Sequence, residues 1–415
     1  MKNFNDHNGS FLNENHPKQA KNWFSYLGPG FITAALVFGP GSLTVISKLG
    51  AGFGNAFLWI IAIATFFMIV FVGMSIRIGL ATEVSLLTTI RQRWGKEVSA
   101  FIGISIFLVV VSFQAGNTVG AGLAFSELSG TVITPWILFV TVFSISLLYF
   151  KSFYKILEKL MLLLVSVMFV SFLGTLLIIR PDFTEIMMGF VPSLPAGSLL
   201  LAIALVASSF SIVGAFYQSY LVQEKGWEED QSNQAKAEGI SGIVMLGVIG
   251  GMILICAGSV LNPLNVEINS AADMGLAIEP LFGRFAKVLF MIGLFGASFS
   301  SLIGNATIGG TLLSDALGYG SRLSNTVTRL FIMLVMVAGA SIAVWFGGIP
   351  IDLIVFAQGI TIFIVPFIGI VLFMTANSKE ILGNLRNGPA SQVAGYVGIA
   401  ILFVLAFRNA YLIFS

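Results

Sequence analysis

The stretch GPGFITAALVFGPGSLTVISKLGAG, Gly28–Gly52, decides how this chain folds. It is apolar over the length a membrane crossing needs, yet its middle reads GPGS, Gly39–Ser42. Pro40 has no N–H, and with Gly39 and Gly41 it marks a helix break at mid-span. In lipid, freed backbone is tolerated only where it faces protein or a water-filled cavity. An apolar helix broken in this way points to a solute site near the membrane midplane; a plain proline kink is the simpler reading.

The rest of the chain has the same character. Of its 415 residues, 57% are hydrophobic and 10% charged, against about 25% charged in soluble domains. Too few polar residues remain to coat a water-facing surface, which excludes a soluble enzyme, a disordered hub and a secreted disulfide module. Apolar runs of about twenty residues argue against a β-barrel, whose segments are about ten residues long and alternate. The 45 glycines suit helices that approach closely in lipid. Cys256 is the single cysteine and lies in an apolar run, so no disulfide framework or cysteine-rich metal site is available. Residues 1–22 read as a polar tail rather than a cleavable signal, and they contain both histidines, His7 and His16. A net charge of +2 gives no reason to expect a nucleic-acid partner. The lipid bilayer and a small-molecule or ionic substrate are the expected partners, with no cofactor and no enzymatic constellation.

Apolar runs predict eleven transmembrane helices, near 24–49, 55–80, 98–127, 132–150, 155–179, 196–224, 237–261, 284–315, 323–347, 351–375 and 391–413. Placing the N-terminus in the cytoplasm puts fifteen basic residues inside: Lys2, Lys18, Lys21, Arg91, Arg93, Lys96, Lys151, Lys155, Lys159, Lys225, Lys236, Arg322, Arg329, Lys379 and Arg386. Only four, Arg180, Arg284, Lys287 and Arg408, then lie outside. That asymmetry predicts a cytoplasmic N-terminus and an outside C-terminus. A multi-pass protein of the plasma membrane, in a bacterium the inner membrane, is expected.

The third and eighth spans echo each other. FQAGNTVGAG, Phe113–Gly122, and LIGNATIGG, Leu302–Gly310, both set Gly-Asn, then Thr and further glycines, in mid-helix. The two spans run in opposite directions, as an inverted repeat of five plus five helices requires, although small and polar residues also serve ordinary helix packing in lipid. The repeat gives a first half over 23–180, an inverted second half over 195–376 and an extra helix over 390–413, all within one transporter domain, 23–415. By symmetry the sixth span should also be interrupted. Its GAFYQSY, Gly214–Tyr220, has one glycine and no proline, and places the break at Gly214.

GPGF followed by GPGS resembles the first helix of the Nramp divalent-metal transporters, which reads GPGF and then DPGN. DLIVFAQGITIFIVPFIGIVLFMTANSKEIL, Asp352–Leu382, is similar to that family's late helices, with Gln358 at its site glutamine. The resemblance covers essentially the whole chain. It implies an all-α integral membrane protein with the LeuT-type 5+5 inverted repeat, an eleventh helix, and helices 1 and 6 interrupted at the midplane. The family's metal chemistry does not carry over with it. The first-helix Asp ligand aligns with Gly39 and the Asn with Ser42. The sixth-helix Met-Pro-His motif falls near Gln218–Tyr220, with neither Met nor His. The acidic pair of the third helix aligns with Gln114 and Asn117, each acid replaced by its amide.

A dehydrated transition-metal ion needs negative charge or strong N and S donors, and no acid lies at mid-depth; no metal ligands are therefore assigned. The expected substrate-binding residues are Gly39, Ser42, Gln114, Asn117, Tyr217, Gln218, Asn305 and Gln358, all neutral, with Thr118 and Thr307 as further hydrogen-bonding groups. Lys48 would steer an anion from the outer vestibule, unless it only snorkels to the interface. A half-helix N-terminus at Ser42, no longer offset by an acid, favours an anion or a neutral polar solute of bicarbonate or carboxylate size. The alternatives are a divalent cation, Mg²⁺ or Mn²⁺/Fe²⁺, held through its waters, and a non-transporting sensor or scaffold.

Overall fold

The computed structural model describes residues 38–149, 153–346 and 350–414. The N-terminal tail, the GPGF stretch and the first part of the first span lie outside those residues. The described chain is helical. In order, its principal helices are α1 (Pro40–Phe53), α2 (Leu58–Ala81), α3 (Leu86–Trp94), α4 (Lys96–Ser129), α5 (Thr134–Leu147), α6 (Phe153–Ile179) and α7 (Leu199–Ser209). They continue as α8 (Ile212–Glu224), α9 (Ser232–Val260), α10 (Ala286–Leu317), α11 (Thr326–Trp345), α12 (Pro350–Ile360), α13 (Val365–Asn377) and α14 (Pro389–Phe414).

Every apolar run read from the sequence carries helix. By length and composition, seven of the described helical segments can cross a membrane, or eight with α12 and α13 taken as one bent span. The eleven-span count is therefore not reached on that criterion. The first span is described only from Phe38, and α5, at 14 residues, is short for a crossing. Large apolar side chains such as Phe66, Phe139, Val142, Leu177 and Phe407 are exposed on the outer faces, as hydrocarbon requires of a lipid-facing surface.

The two helices with matching Gly-Asn motifs, α4 and α10, form the most extensive helix pair among the described residues. Their partners run in opposite order. Gly103 meets Ala316, Val110 meets Gly309, Gln114 Nε2 donates to the Leu302 carbonyl at 2.9 Å, and Gly120 lies against Ser298. The pair is thus antiparallel. Close approach depends on the absent side chains, since a methyl group on Gly103 would lie 2.2 Å from Ala316 Cβ. At 34 and 32 residues, each is about 50 Å long and overreaches the hydrocarbon core.

Three helix ends fall inside spans. α1 starts at Pro40 with Gly39 in extended conformation as its N-cap (φ −95°, ψ 177°). The sixth span is broken between α7 and α8, at Phe210 and Ser211, so the expected break at Gly214 is corrected upstream by one turn. Ser211 (φ −76°, ψ 87°) is the centre of a tight turn in which Ile212 N–H donates to Phe210 O at 3.0 Å, an inverse γ-turn. Its hydroxyl then accepts from Gly214 N–H at 3.3 Å and caps α8. The tenth span bends by 49° between α12 and α13, just before Pro366, which has no N–H to carry the hydrogen-bond ladder of α12 on into α13.

One end of the bundle is tied by a buried carboxylate. Asp315, near the end of α10, accepts from Tyr220 OH of α8 at 2.6 Å and from Thr88 Oγ1 of α3 at 3.2 Å. Tyr220 OH in turn accepts from Leu87 N–H at 3.1 Å, and the Arg91 guanidinium donates to the Asp315 and Ala316 carbonyls at the end of α10. Beside it, Lys225 at the end of α8 pairs with Glu238 of α9. Three spans meet in this knot, on the side that the charge asymmetry assigns to the cytoplasm.

Candidate substrate site at the helix breaks

A small cavity lies where the start of α1, the sixth-span break and α12 meet. Gly39 and Ser42 of the first span, Phe113 and Asn117 of α4, and Ser208, Ser211, Val213 and Gly214 around the sixth-span break form part of its wall; Asn305 and Ile308 of α10 and Gln358 of α12 complete it. Spans one, three, six, eight and ten all contribute. The free volume is about 30 Å³, room for about two waters. A fully hydrated divalent ion does not fit in this volume.

Each wall residue is set by its element. Gln358 lies directly over α1: a methyl group at Gly41 would fall 1.8 Å from Gln358 Nε2. The second glycine of the GPG run, Gly41, therefore has a packing partner rather than only a conformational role, and its missing side chain is what admits the amide. Asn117 is oriented by a relay of donors. Gln114 Nε2 is committed to Leu302 O, so Gln114 Oε1 accepts from Asn117 Nδ2 at 3.3 Å. Asn117 Oδ1 is left facing Gly39, 3.1 Å from where a Cβ would stand.

Of the residues expected from sequence, Gly39, Ser42, Asn117, Asn305 and Gln358 line the cavity, as does Gly214. Gln114 stands behind Asn117 and fixes it. Tyr217 and Gln218 do not belong to the wall, and that expectation is corrected. Gln218 packs toward α9, where a methyl group on Gly239 would lie 3.2 Å from its Nε2, and the Tyr217 ring stacks on Tyr220 with centroids 5.8 Å apart. The physical reason is the position of the break. Helix α8 is already regular at Gly214, so Tyr217 and Gln218 sit on its second turn and their direction is set by helix packing. Thr118 and Thr307 return their hydroxyls to their own helices, to Gln114 O and Ile303 O, each at 2.8 Å.

Ser208 and Ser211 were not expected. The only sequence signal is SSFS, Ser208–Ser211, a polar patch inside an apolar run, and it contains neither Gly nor Pro. Lys48 lines a different space, a cavity of about 410 Å³ shared with Asn262, Asn265, Glu267 and Asn269. Among the described residues, no group of three His, Cys, Asp or Glu side chains converges to hold a metal ion. Among the described residues, the cavity wall carries no titratable group.

The sequence profile of the natural resistance-associated macrophage protein-like family, Nramp, matches residues 30–415. This chain belongs to the Nramp family. The Nramp chain is 26% identical to the divalent metal cation transporter MntH of Deinococcus radiodurans, over 96% of its own length and 92% of that protein's. It is 25% identical to MntH of Staphylococcus saprophyticus, covering 96% and 93%. In fold, it is similar to the Eremococcus coleocola manganese transporter solved with an aromatic bis-isothiourea substituted compound, with a TM-score of 0.79, 20% identity, and coverage of 95% and 88%. Mhp1, a nucleobase-cation-symport-1 family transporter solved in a closed conformation, matches at a TM-score of 0.63 and 14% identity over 94% of this chain and 90% of that one. The Nramp chain is thus a multi-pass membrane transporter with a LeuT-type neighbourhood of folds, not an enzyme.

Proposed function

We propose that this chain is an alternating-access secondary transporter whose cargo is a divalent cation that keeps part of its water shell. The family and its named MntH relatives support a divalent cation over the anion that the sequence alone favoured. One observation carries the finer reading: neutral side-chain oxygens from Ser42, Asn117, Ser208, Ser211, Asn305 and Gln358 meet at the helix breaks with no carboxylate, thiol or imidazole among them. Oxygen donors of this kind suit hard ions such as Mg²⁺ and Mn²⁺ rather than soft ones. Mg²⁺ gives up water reluctantly, and a wall without charge compensates a hydrated ion at far lower cost than a bare one. Affinity should accordingly be weak.

The proposal includes the repeat architecture, halves at 23–180 and 195–376 with helix 390–413 outside them, a cytoplasmic N-terminus, an outside C-terminus and, in a bacterium, the inner membrane. Uptake of Mg²⁺ and Mn²⁺ into proteoliposomes tests the cargo. Saturable uptake of either ion, reduced about tenfold or more in Gln358→Ala through loss of a wall amide, is the expected result.

A second reading has its own support. Two half-helix N-termini, those of α1 and α8, open at the cavity, and unoffset helix N-termini attract anions. Bicarbonate or carboxylate uptake without divalent-ion flux, weakened by Lys48→Ala, would establish this reading and overturn the first. Absence of any flux would leave a sensor or scaffold.

A further inference from the structure

Arg77 stands inside α2, one turn before that helix ends at Ala81, on the side that the charge asymmetry assigns to the cytoplasm. An arginine at this depth can snorkel its head into the headgroup layer. The Arg77 head is instead held against the protein. Its guanidinium donates through Nη2 to Asn387 Oδ1, in the turn before α14, and Asn387 is 2% exposed. Asn387 is itself fixed: its N–H donates to Ala376 O at 3.0 Å, its Nδ2 donates to Asn377 Oδ1 at 2.8 Å, and its carbonyl accepts from Gln392 Nε2 at 3.0 Å. It offers Arg77 an oxygen but no charge.

Among the described residues, no carboxylate pairs with Arg77. Its Nε is sealed from solvent without a hydrogen-bond partner, although the residue as a whole stays partly exposed. A guanidinium in a span with no counter-charge is costly, and its planar fork of donors matches a phosphate.

An open apolar groove of about 540 Å³ runs between α2 and α14 toward the same end. Phe66 and Phe67 form one wall and α14 from Pro389 to Val397 the other, and every lining residue is apolar. Gly398 lies against Phe67 and Gly395 against Met74, so α14 runs antiparallel to α2 and its first turn lies toward Arg77. Phe66, Gly73 and Arg77 share one face of α2, and a Cβ on Gly73 would meet nothing within 4 Å. An open apolar channel thus leads to a cation without a counter-ion.

We propose that this groove and Arg77 bind an anionic phospholipid of the cytoplasmic leaflet, one acyl chain lying between α2 and α14 and the headgroup phosphate on the Arg77 guanidinium. Charge selects the occupant. A lipid without net charge fills the groove but neutralises Arg77 poorly, and free phosphate pairs with Arg77 but leaves the groove unfilled. Basic pockets between spans on the cytoplasmic side favour anionic headgroups in this way. The neighbouring charges agree: Arg386, next to Asn387, is exposed, and Glu380, in the segment before it, is paired with Arg93. A lipid lodged here would tie α14 to α2. The site is independent of the cargo.

Binding of phosphatidylglycerol to the purified full chain in detergent, read by native mass spectrometry, is the test. Saturable binding about tenfold tighter than that of phosphatidylcholine with the same acyl chains is expected, with no competition from inorganic phosphate at matched concentration. Arg77→Gln should weaken phosphatidylglycerol binding about tenfold through loss of a charge-assisted contact and leave phosphatidylcholine binding unchanged. Arg77→Lys should keep most of the preference. Ala390→Trp, which fills the groove, should weaken binding of both lipids. Val142→Trp, on the exposed face of α5, and Lys96→Gln, at another exposed position on the cytoplasmic side, should bind as the parent does. Thermal melting of each variant without lipid separates loss of the site from loss of the fold. Equal affinity of the parent for the two lipids, or unchanged phosphatidylglycerol binding in both Arg77→Gln and Ala390→Trp, would overturn the proposal. Competition by inorganic phosphate would equally overturn it, by reducing the site to one for a free anion.

Discussion

At the scale of the residue, the site is a set of amides and hydroxyls held by relays of hydrogen bonds and by glycines. Gly41 is the sharpest instance, because the Gln358 amide occupies the space its side chain would take. Gly41→Ala should displace the end of Gln358 from the cavity at a stability cost of about 1 kcal/mol, the low end for an extra methyl group. Uptake should fall severalfold while the melting temperature shifts only slightly; unchanged uptake would show that the Gln358 amide is not part of the pathway. Several of these residues are legible in the sequence, since Gly39, Ser42, Asn117, Asn305 and Gln358 stand in motifs that break or punctuate apolar helices. The direction of a side chain is less legible. Gln218 and Tyr217 carry the right chemistry on the right span, yet the phase of α8 turns Gln218 to Gly239 and Tyr217 onto Tyr220. Neither helix phase nor the pairing of Arg77 with an amide rather than a carboxylate can be read from a string of residues, since both depend on neighbours far along the chain.

At the scale of the element, breaks decide function, and they differ in how visibly they are written. The first-span break is announced by Gly39, Pro40 and Gly41. The sixth-span break is made by Ser211, whose side chain caps α8 where no Gly or Pro marks the place. A serine inside an apolar helix normally bonds back to its own turn, so sequence reading passes over it. Ser211→Ala removes the cap, and should cost about 1 kcal/mol in thermal or denaturant unfolding while also lowering uptake, because the same residue lines the cavity. Full stability in that variant would mean that α8 begins there for another reason. The bend before α13 was equally hidden, since Pro366 sits in the first turn of a helix, a position where proline is ordinarily harmless. By contrast, the antiparallel course of α4 and α10 was read from the sequence, although their packing together, with Gln114 reaching Leu302, was not.

At the scale of the whole molecule, the few charges lie mostly at helix ends, as in the knot around Asp315 and the Lys225–Glu238 pair, while the middle of the bundle is neutral. Membrane class was legible from composition alone, because no soluble fold can be coated with so few polar residues. Cargo was not, because replaced ligands say what has been lost and not what the remaining oxygens select. A neutral cavity has a consequence for coupling. Without an acid or histidine on its wall, uptake should vary less than about twofold between about pH 6 and about pH 8, measured in proteoliposomes with symmetric pH. A steep dependence lost in Glu83→Gln or Glu224→Gln would point to a proton path outside the cavity.

Divalent-ion uptake compared between the parent chain and Asn117→Asp is the most direct test of a neutral, cation-carrying site. The substitution changes one amide for a carboxylate of the same shape, and a unit charge at about 4 Å is worth several kcal/mol even at an effective dielectric of about 20. Weak, saturable Mg²⁺ or Mn²⁺ uptake by the parent, tightened about tenfold or more in Asn117→Asp and made pH-dependent by the new acid, is the predicted result. Anion uptake by the parent, abolished in Asn117→Asp with no divalent-ion flux in either, would contradict it.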